Sequence, residues 1–92
     1  MARYELRVRL SVANDLRGIP KADVKRILTR MQALRDDPRG PGCEKLGSAE
    51  LYRARQGVYR IVHEIHDAHI VVEVIRVGHR AEVYRGGQDG GG

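Results

Sequence analysis

Between Leu51 and Val77 the chain runs through three β-type segments, Leu51 to Arg55, Val58 to His66 and His69 to Val77, interrupted only by Gln56-Gly57 and Asp67-Ala68. Interruptions this short leave no room for a crossover, so successive segments must pair antiparallel through tight turns. The result is a three-stranded meander. A two-residue turn at Gln56-Gly57 sets Arg55 opposite Val58 and Arg53 opposite Arg60. The same rule across Asp67-Ala68 sets Val62 opposite Glu73 and Glu64 opposite Val71. One face of the meander then carries Arg53, Arg55 and Arg60, with Glu64 and Glu73 further along. The other carries Tyr52, Ala54, Tyr59, Ile61, His63, Ile65, Ile70, Val72 and Val74, and a face this apolar has to be covered.

The cover comes from the first half of the chain. Tyr4, Leu6, Val8 and Leu10 alternate with Arg3, Glu5, Arg7 and Arg9, the period of a half-buried strand. Ser11 is placed to cap a short helix, Val12 to Arg17, that Gly18 ends. Pro20 stands at a first helical position, and Val24, Ile27, Leu28, Met31 and Leu34 follow at helical spacing through about Arg35, with Lys25, Arg26 and Arg30 on the opposite face. The breakers in Asp36-Asp37-Pro38-Arg39-Gly40-Pro41-Gly42 make a loop too short to link two domains. The predicted fold is α+β: two N-terminal helices on one face of a four-stranded, mainly antiparallel sheet, in the order β-α-α-β-β-β. One domain occupies residues 1–85, and Gly-rich residues 86–92 form a disordered tail.

At 92 residues the chain supports one modest core, burying roughly 60–65% of the surface its unfolded form exposes, so any site lies on the surface. Its single cysteine, Cys43, excludes a disulfide framework and a four-cysteine metal site, and points to the reducing cytoplasm. The amino-terminal MARYELRVRL alternates charged with apolar residues and fits neither a signal peptide nor a membrane span. Seventeen basic residues, fourteen of them arginine, stand against twelve acids. The guanidinium presents a rigid, permanently charged donor fork that suits phosphate, so nucleic acid, or an acidic protein mimicking it, is the expected partner class. Facing arginines on one sheet surface repel each other and call for an anion between them.

The spacing His63-x-x-His66-x-x-His69 superficially resembles a metal cluster. The strand reading sends His63 into the core and leaves the other two beside a turn, so no metal site is expected there. His79, past the last strand and beside Arg80, is a titratable group near the basic face, suited to general acid–base work at neutral pH. Tyr84 lies outside the apolar pattern, where its ring could stack on a base.

The run Lys45-Leu46-Gly47, Leu51-Tyr52-Arg53-Ala54-Arg55, Tyr59-Arg60-Ile61-Val62, Val74-Ile75-Arg76-Val77-Gly78-His79-Arg80 and Glu82-Val83-Tyr84 resembles the RelE family of toxins from bacterial and archaeal toxin–antitoxin systems. The resemblance covers about residues 2 to 85 in element order and size. It implies a ribosome-dependent endoribonuclease that cuts messenger RNA in the ribosomal A site until a RelB-like antitoxin neutralises it. It also implies site roles: phosphate binding by Arg53, Arg55 and Lys45, polarisation of the scissile phosphate by Arg60, leaving-group assistance by Arg80, and substrate orientation by Tyr84. No metal, cofactor or membrane is called for. The family's best-known members carry lysines where this chain has Arg53 and Arg55, and an arginine does not readily surrender a proton. The general base is therefore open, with His79 the leading candidate and Glu64 and Glu73 behind it.

Two other functions stay open on the sequence. One is that of the ParE branch, which shares the fold but poisons DNA gyrase. The other is a non-catalytic basic module that only occupies a binding site.

Overall fold

The computed structural model describes residues 3–47 and 49–79. Its elements are β1 (Glu5–Val8), α1 (Ser11–Arg17), α2 (Lys21–Ala33), β2 (Cys43–Lys45), β3 (Leu51–Gln56), β4 (Tyr59–His66) and β5 (Val71–His79), with a 3-10 turn at Asp67–His69. They form one mixed sheet of five strands, ordered β1-β5-β4-β3-β2. β1 runs parallel to β5, and the remaining pairs are antiparallel. The α+β architecture matches the sequence reading, with one strand more than the four expected. The addition is β2, three residues after the loop that pair with Arg53 and its neighbours on β3.

The helices cover the apolar face. Val12 from α1 and Ile27 and Met31 from α2 are buried with Leu34 against Ala54, Ile61, Val72, Val74 and Val77 from the sheet. Asp15 ties α1 to β5, its Oδ2 accepting from the Val77 N–H at 3.0 Å. β1 contributes less than its alternation suggested. Pairing with β5 stops at Val8, where the chain turns into α1, so Leu6 packs on the core while Val8 is 44% and Leu10 91% exposed. Ser11 is not a cap: Leu10 holds that position without a side-chain bond. The Val12 and Ala13 N–H groups are met instead by the carbonyls of Arg9 and Leu10 in a tight entry turn. α2 ends at Ala33, two residues before the expected Arg35.

The meander registers differ from the two-residue rule. The first hairpin turns on Gly57-Val58, with Gly57 at φ +61, so Arg55 faces Arg60 and Arg53 faces Val62. A register displaced by two residues keeps every side chain on its predicted face. The second connection is longer, closing with Ile70 in the left-handed region at φ 53, and it sets Glu64 opposite Glu73 rather than Val71. Ile70, expected on the apolar face, is 44% exposed there. Further along, Val74 faces His63 but Arg76 faces Val62, so Ile75 is an extra residue in β5, a bulge that reverses the alternation beyond it. Val77 therefore joins the core, and Arg76 turns to the open face.

The loop between α2 and β2 is pinned by Arg39. Its guanidinium pairs with Glu50 and with Asp67 at 2.7 Å, donates to the Tyr52 hydroxyl at 3.1 Å and lies 5.5 Å from that ring's centre. Asp67 also accepts from Tyr4 Oη at 2.7 Å. Arg39 holds the Asp67 and Glu50 carboxyls below their ordinary range, and the Asp67 bond raises the Tyr4 phenol. Beneath Tyr52, and stacked on it at 5.9 Å, His63 is fully buried with Nε2 2.9 Å from the Pro38 carbonyl.

Candidate functional site

Opposite the helices, the sheet surface at the β3–β4 hairpin end is built from arginines. Arg53 and Arg55 lie two apart on β3, Arg60 faces Arg55 from β4, and Arg76 faces Val62 from β5. Arg60 is fixed by its own turn, Nη1 donating to the carbonyls of Gly57 and Tyr59 at 2.9 Å each. Its cross-strand neighbour on β5 is Gly78, which places no side chain beside it. Arg53 is largely buried, its side chain 16% exposed, and pairs with Glu44 of β2 at 2.5 Å. Arg55 and Arg76 make no ion pair among the described residues.

Gly42, Cys43, Glu44, Arg53, Arg55 and Arg60 enclose a cleft of about 380 Å3. Its outer wall is β2, and Arg30 of α2 secures that wall. Arg30 was expected on the solvent side of its helix; instead Nη2 donates to the Pro41 carbonyl at 3.0 Å and Nε reaches the Arg55 carbonyl at 3.4 Å. Gly42 takes φ +85, and a Cβ there would stand 3.1 Å from that guanidinium, so glycine lets helix and loop approach. Burial raises the Cys43 thiol pKa, which keeps that group protonated and inert. Three or more guanidinium groups around one concavity can grip a phosphate and stabilise charge building on its non-bridging oxygens. Among the described residues Glu44 is the one carboxylate lining the cleft, where it can accept a proton.

The structure brings together Arg53, Arg55 and Arg60, as the sequence predicted. It separates two other candidates from them. Lys45 faces Tyr52, on the helix side of the sheet, and pairs with Glu50 at 3.2 Å. His79 faces Tyr59 in an edge contact of 6.1 Å, also on the helix side, because the bulge reversed the strand's parity. Glu64 and Glu73 share the arginine face but stand towards its other end, paired with Arg9. Arg80 and Tyr84 lie outside the described residues. Arg76 and Glu44 were missed. The signal for Arg76 was present: Val72, Val74 and Val77 break step by one residue, as a bulge does. Glu44 had none, since Cys43-Glu44-Lys45 is too short to show a period.

Residues 6–84 match the family described as the ParE toxin of the type II toxin–antitoxin system, parDE. Among curated proteins, the toxin RelG of Mycobacterium tuberculosis is 46% identical over 37 residues, 40% of this chain and 42% of RelG. The chain therefore aligns with less than half of that toxin's length. The fold superposes on the toxin–antitoxin complex RelBE2 of Mycobacterium tuberculosis with a TM-score of 0.77 at 28% identity, covering 88% of this chain and 95% of that one. It superposes on the archaeal RelE–RelB complex of Pyrococcus horikoshii with a TM-score of 0.72 at 26% identity, covering 85% and 96%. The free E. coli RelE toxin, in a mutant form, shares the fold at a TM-score of 0.73 and 24% identity, covering 91% and 92%. With two helices on a five-stranded sheet, an open arginine face and a family match across nearly all its ordered elements, the chain belongs to the RelE/ParE superfamily of type II toxin–antitoxin toxins.

Proposed function

We propose that this toxin is a ribosome-dependent endoribonuclease that cleaves messenger RNA in the A site, and that the arginine cleft is where the scissile phosphate sits. The observation that supports this most is the convergence of Arg53, Arg55 and Arg60 on one cleft that also contains a carboxylate. The ribose 2′-oxygen attacks the adjacent phosphorus and the bond to the 5′-oxygen breaks, leaving a 2′,3′-cyclic phosphate and a free 5′-hydroxyl. Glu44 takes the 2′-hydroxyl proton, the role the sequence left open. Arg53, Arg55 and Arg60 stabilise the phosphorane oxygens, and Arg76 extends the basic track along β5. Arg80 and Tyr84 keep the roles that the family resemblance implies, leaving-group assistance and substrate orientation. None of these steps calls on a cofactor.

A cleft this open grips a single strand weakly, so the ribosome supplies the alignment of the message. The cognate partner is a RelB-like antitoxin that masks the arginine face, in line with the antitoxin complexes among the structural relatives. The site of action is the cytoplasm, and no helix among the described residues is long and apolar enough to cross a membrane.

The test is primer extension on a reporter message in cell-free translation. Cuts restricted to translated message, lost with Arg60→Ala, support the reading. The ParE family match keeps a second reading in view, poisoning of DNA gyrase. Intact message together with accumulated gyrase–DNA cleavage complexes would establish that one instead.

A further inference from the structure

Further along the arginine face, at the opposite end of β4 from Arg60, a second cluster has a different chemistry. Glu64 and Glu73 are direct cross-strand partners on β4 and β5. His66, two residues beyond Glu64, projects on the same side. One ligand atom from each of the three lies within 4.8 Å of the others. His66 Nε2 is 3.6 Å from Glu64 Oε1 and 3.6 Å from Glu73 Oε1. The imidazole separates this arrangement from an ordinary acidic patch, because a ring nitrogen aimed between two carboxylates adds a coordinating atom to the field.

The spacing is close to what a metal needs. Tetrahedral Zn2+ with bonds of roughly 2.0–2.1 Å holds its ligand atoms about 3.4 Å apart, so the two imidazole–carboxylate distances require only small side-chain adjustments. Two carboxylates set directly opposite each other repel, and here the cation that offsets them is Arg9, which follows β1. Its Nε is 3.2 Å from Glu73 and its Nη2 3.8 Å from Glu64. The Arg9 side chain is 51% exposed and free to withdraw. Glu73 and His66 open onto a depression of about 530 Å3 that is also lined by Arg7, His69 and Val71; Arg7 is engaged by Glu5 at 3.1 Å, which leaves room for a fourth ligand.

We propose that Glu64, His66 and Glu73 form a binding site for a divalent transition cation of the Zn2+ class. The ion enters between the two carboxylates, displaces Arg9 and cross-links β4 to β5 independently of the arginine cleft. One imidazole with two carboxylates suits Zn2+ and its borderline neighbours rather than Mg2+ or Ca2+, which take oxygen ligands almost exclusively. The proposal does not depend on the ribonuclease reading, because the site shares no residue with the cleft.

The experiment is a Zn2+ titration of the untagged full chain in competition with a chromophoric chelator. It is run beside His66→Ala and Glu73→Gln, with each variant's fold checked by circular dichroism. One equivalent bound by the parent, weakened tenfold or more in each folded variant, is the expected result. Imidazole NMR of the parent gives a second readout that needs no variant: the His66 ring signals shift with the first equivalent while those of buried His63 stay fixed. No competition by the parent, equal affinity in both variants, or a first shift at another histidine would each overturn the assignment.

Discussion

Arg60 stands directly opposite Arg55 across the β3–β4 ladder, with its guanidinium held by the carbonyls of Gly57 and Tyr59 at 2.9 Å each. Like charges so placed cost the sheet a few tenths of a kcal/mol. Arg55→Ala is therefore expected to leave the urea midpoint unchanged or raise it slightly, while slowing message cleavage by about 100-fold or more. Paired denaturation and primer-extension measurements separate the two effects. A variant that lost stability in step with activity would recast the pair as structural.

Glu44→Gln removes the proton acceptor but keeps the shape of the cleft. Single-turnover cleavage on programmed ribosomes should fall by about 100-fold or more, with ribosome occupancy preserved. Unchanged cleavage would return the general base to the other candidates.

His63 supplies a pH dependence of known sign. Burial lowers its pKa from the ordinary 6.5, so the unfolded chain takes up the proton first as pH falls. Stability from this group is complete above 6.5 and is lost progressively below it. The parent's urea midpoint should decline between about pH 7.5 and 5.5, and His63→Gln should remove that slope.

The Arg39 network adds a slope at lower pH. Asp67 and Glu50 have folded pKa values below their ordinary 3.8 and 4.5, so their contribution is full above those values and disappears as pH falls through the lowered ones. Arg39→Gln should flatten the acid limb of the stability curve, read from urea midpoints between about pH 5 and 3.

Ile70 carries a β-branched side chain at φ 53, a conformation that suits glycine, and it is only half-buried. Ile70→Gly is expected to stabilise the fold by about 0.5–1 kcal/mol in chemical denaturation, since relief of the strain exceeds the loss in packing and chain entropy.

The meander and its two faces were legible because face assignment depends only on parity. Arg53, Arg55 and Arg60 therefore came out together even though each hairpin register was displaced by two residues. Three things went unread, each for a physical reason. Cys43–Lys45 is too short to display alternation, so Glu44 went unseen. The bulge at Ile75 is marked in the sequence only by the one-residue break of step between Val74 and Val77, with no turn residue beside it, and it sent Arg76 to the arginine face and His79 away from it. Arg39 sits among glycines and prolines, and a charge in such a loop reads as solvated. Only the folded chain brings Glu50, Asp67 and Tyr52 around it.

One inserted residue in β5 also bears on how this toxin can diverge. Upstream of Ile75 the even positions 72 and 74 belong to the core; downstream that duty passes to Val77. The strand is thus written in two frames joined at a single residue. Losing the codon for Ile75 would make the ladder regular while keeping Arg76 opposite Val62 on the open face and Val77 opposite Ile61 in the core, whereas flattening the bulge with all residues kept would send Arg76 inward. Point replacements at Arg76 also leave the buried frame alone, so the basic track can be retuned without disturbing the core beneath it.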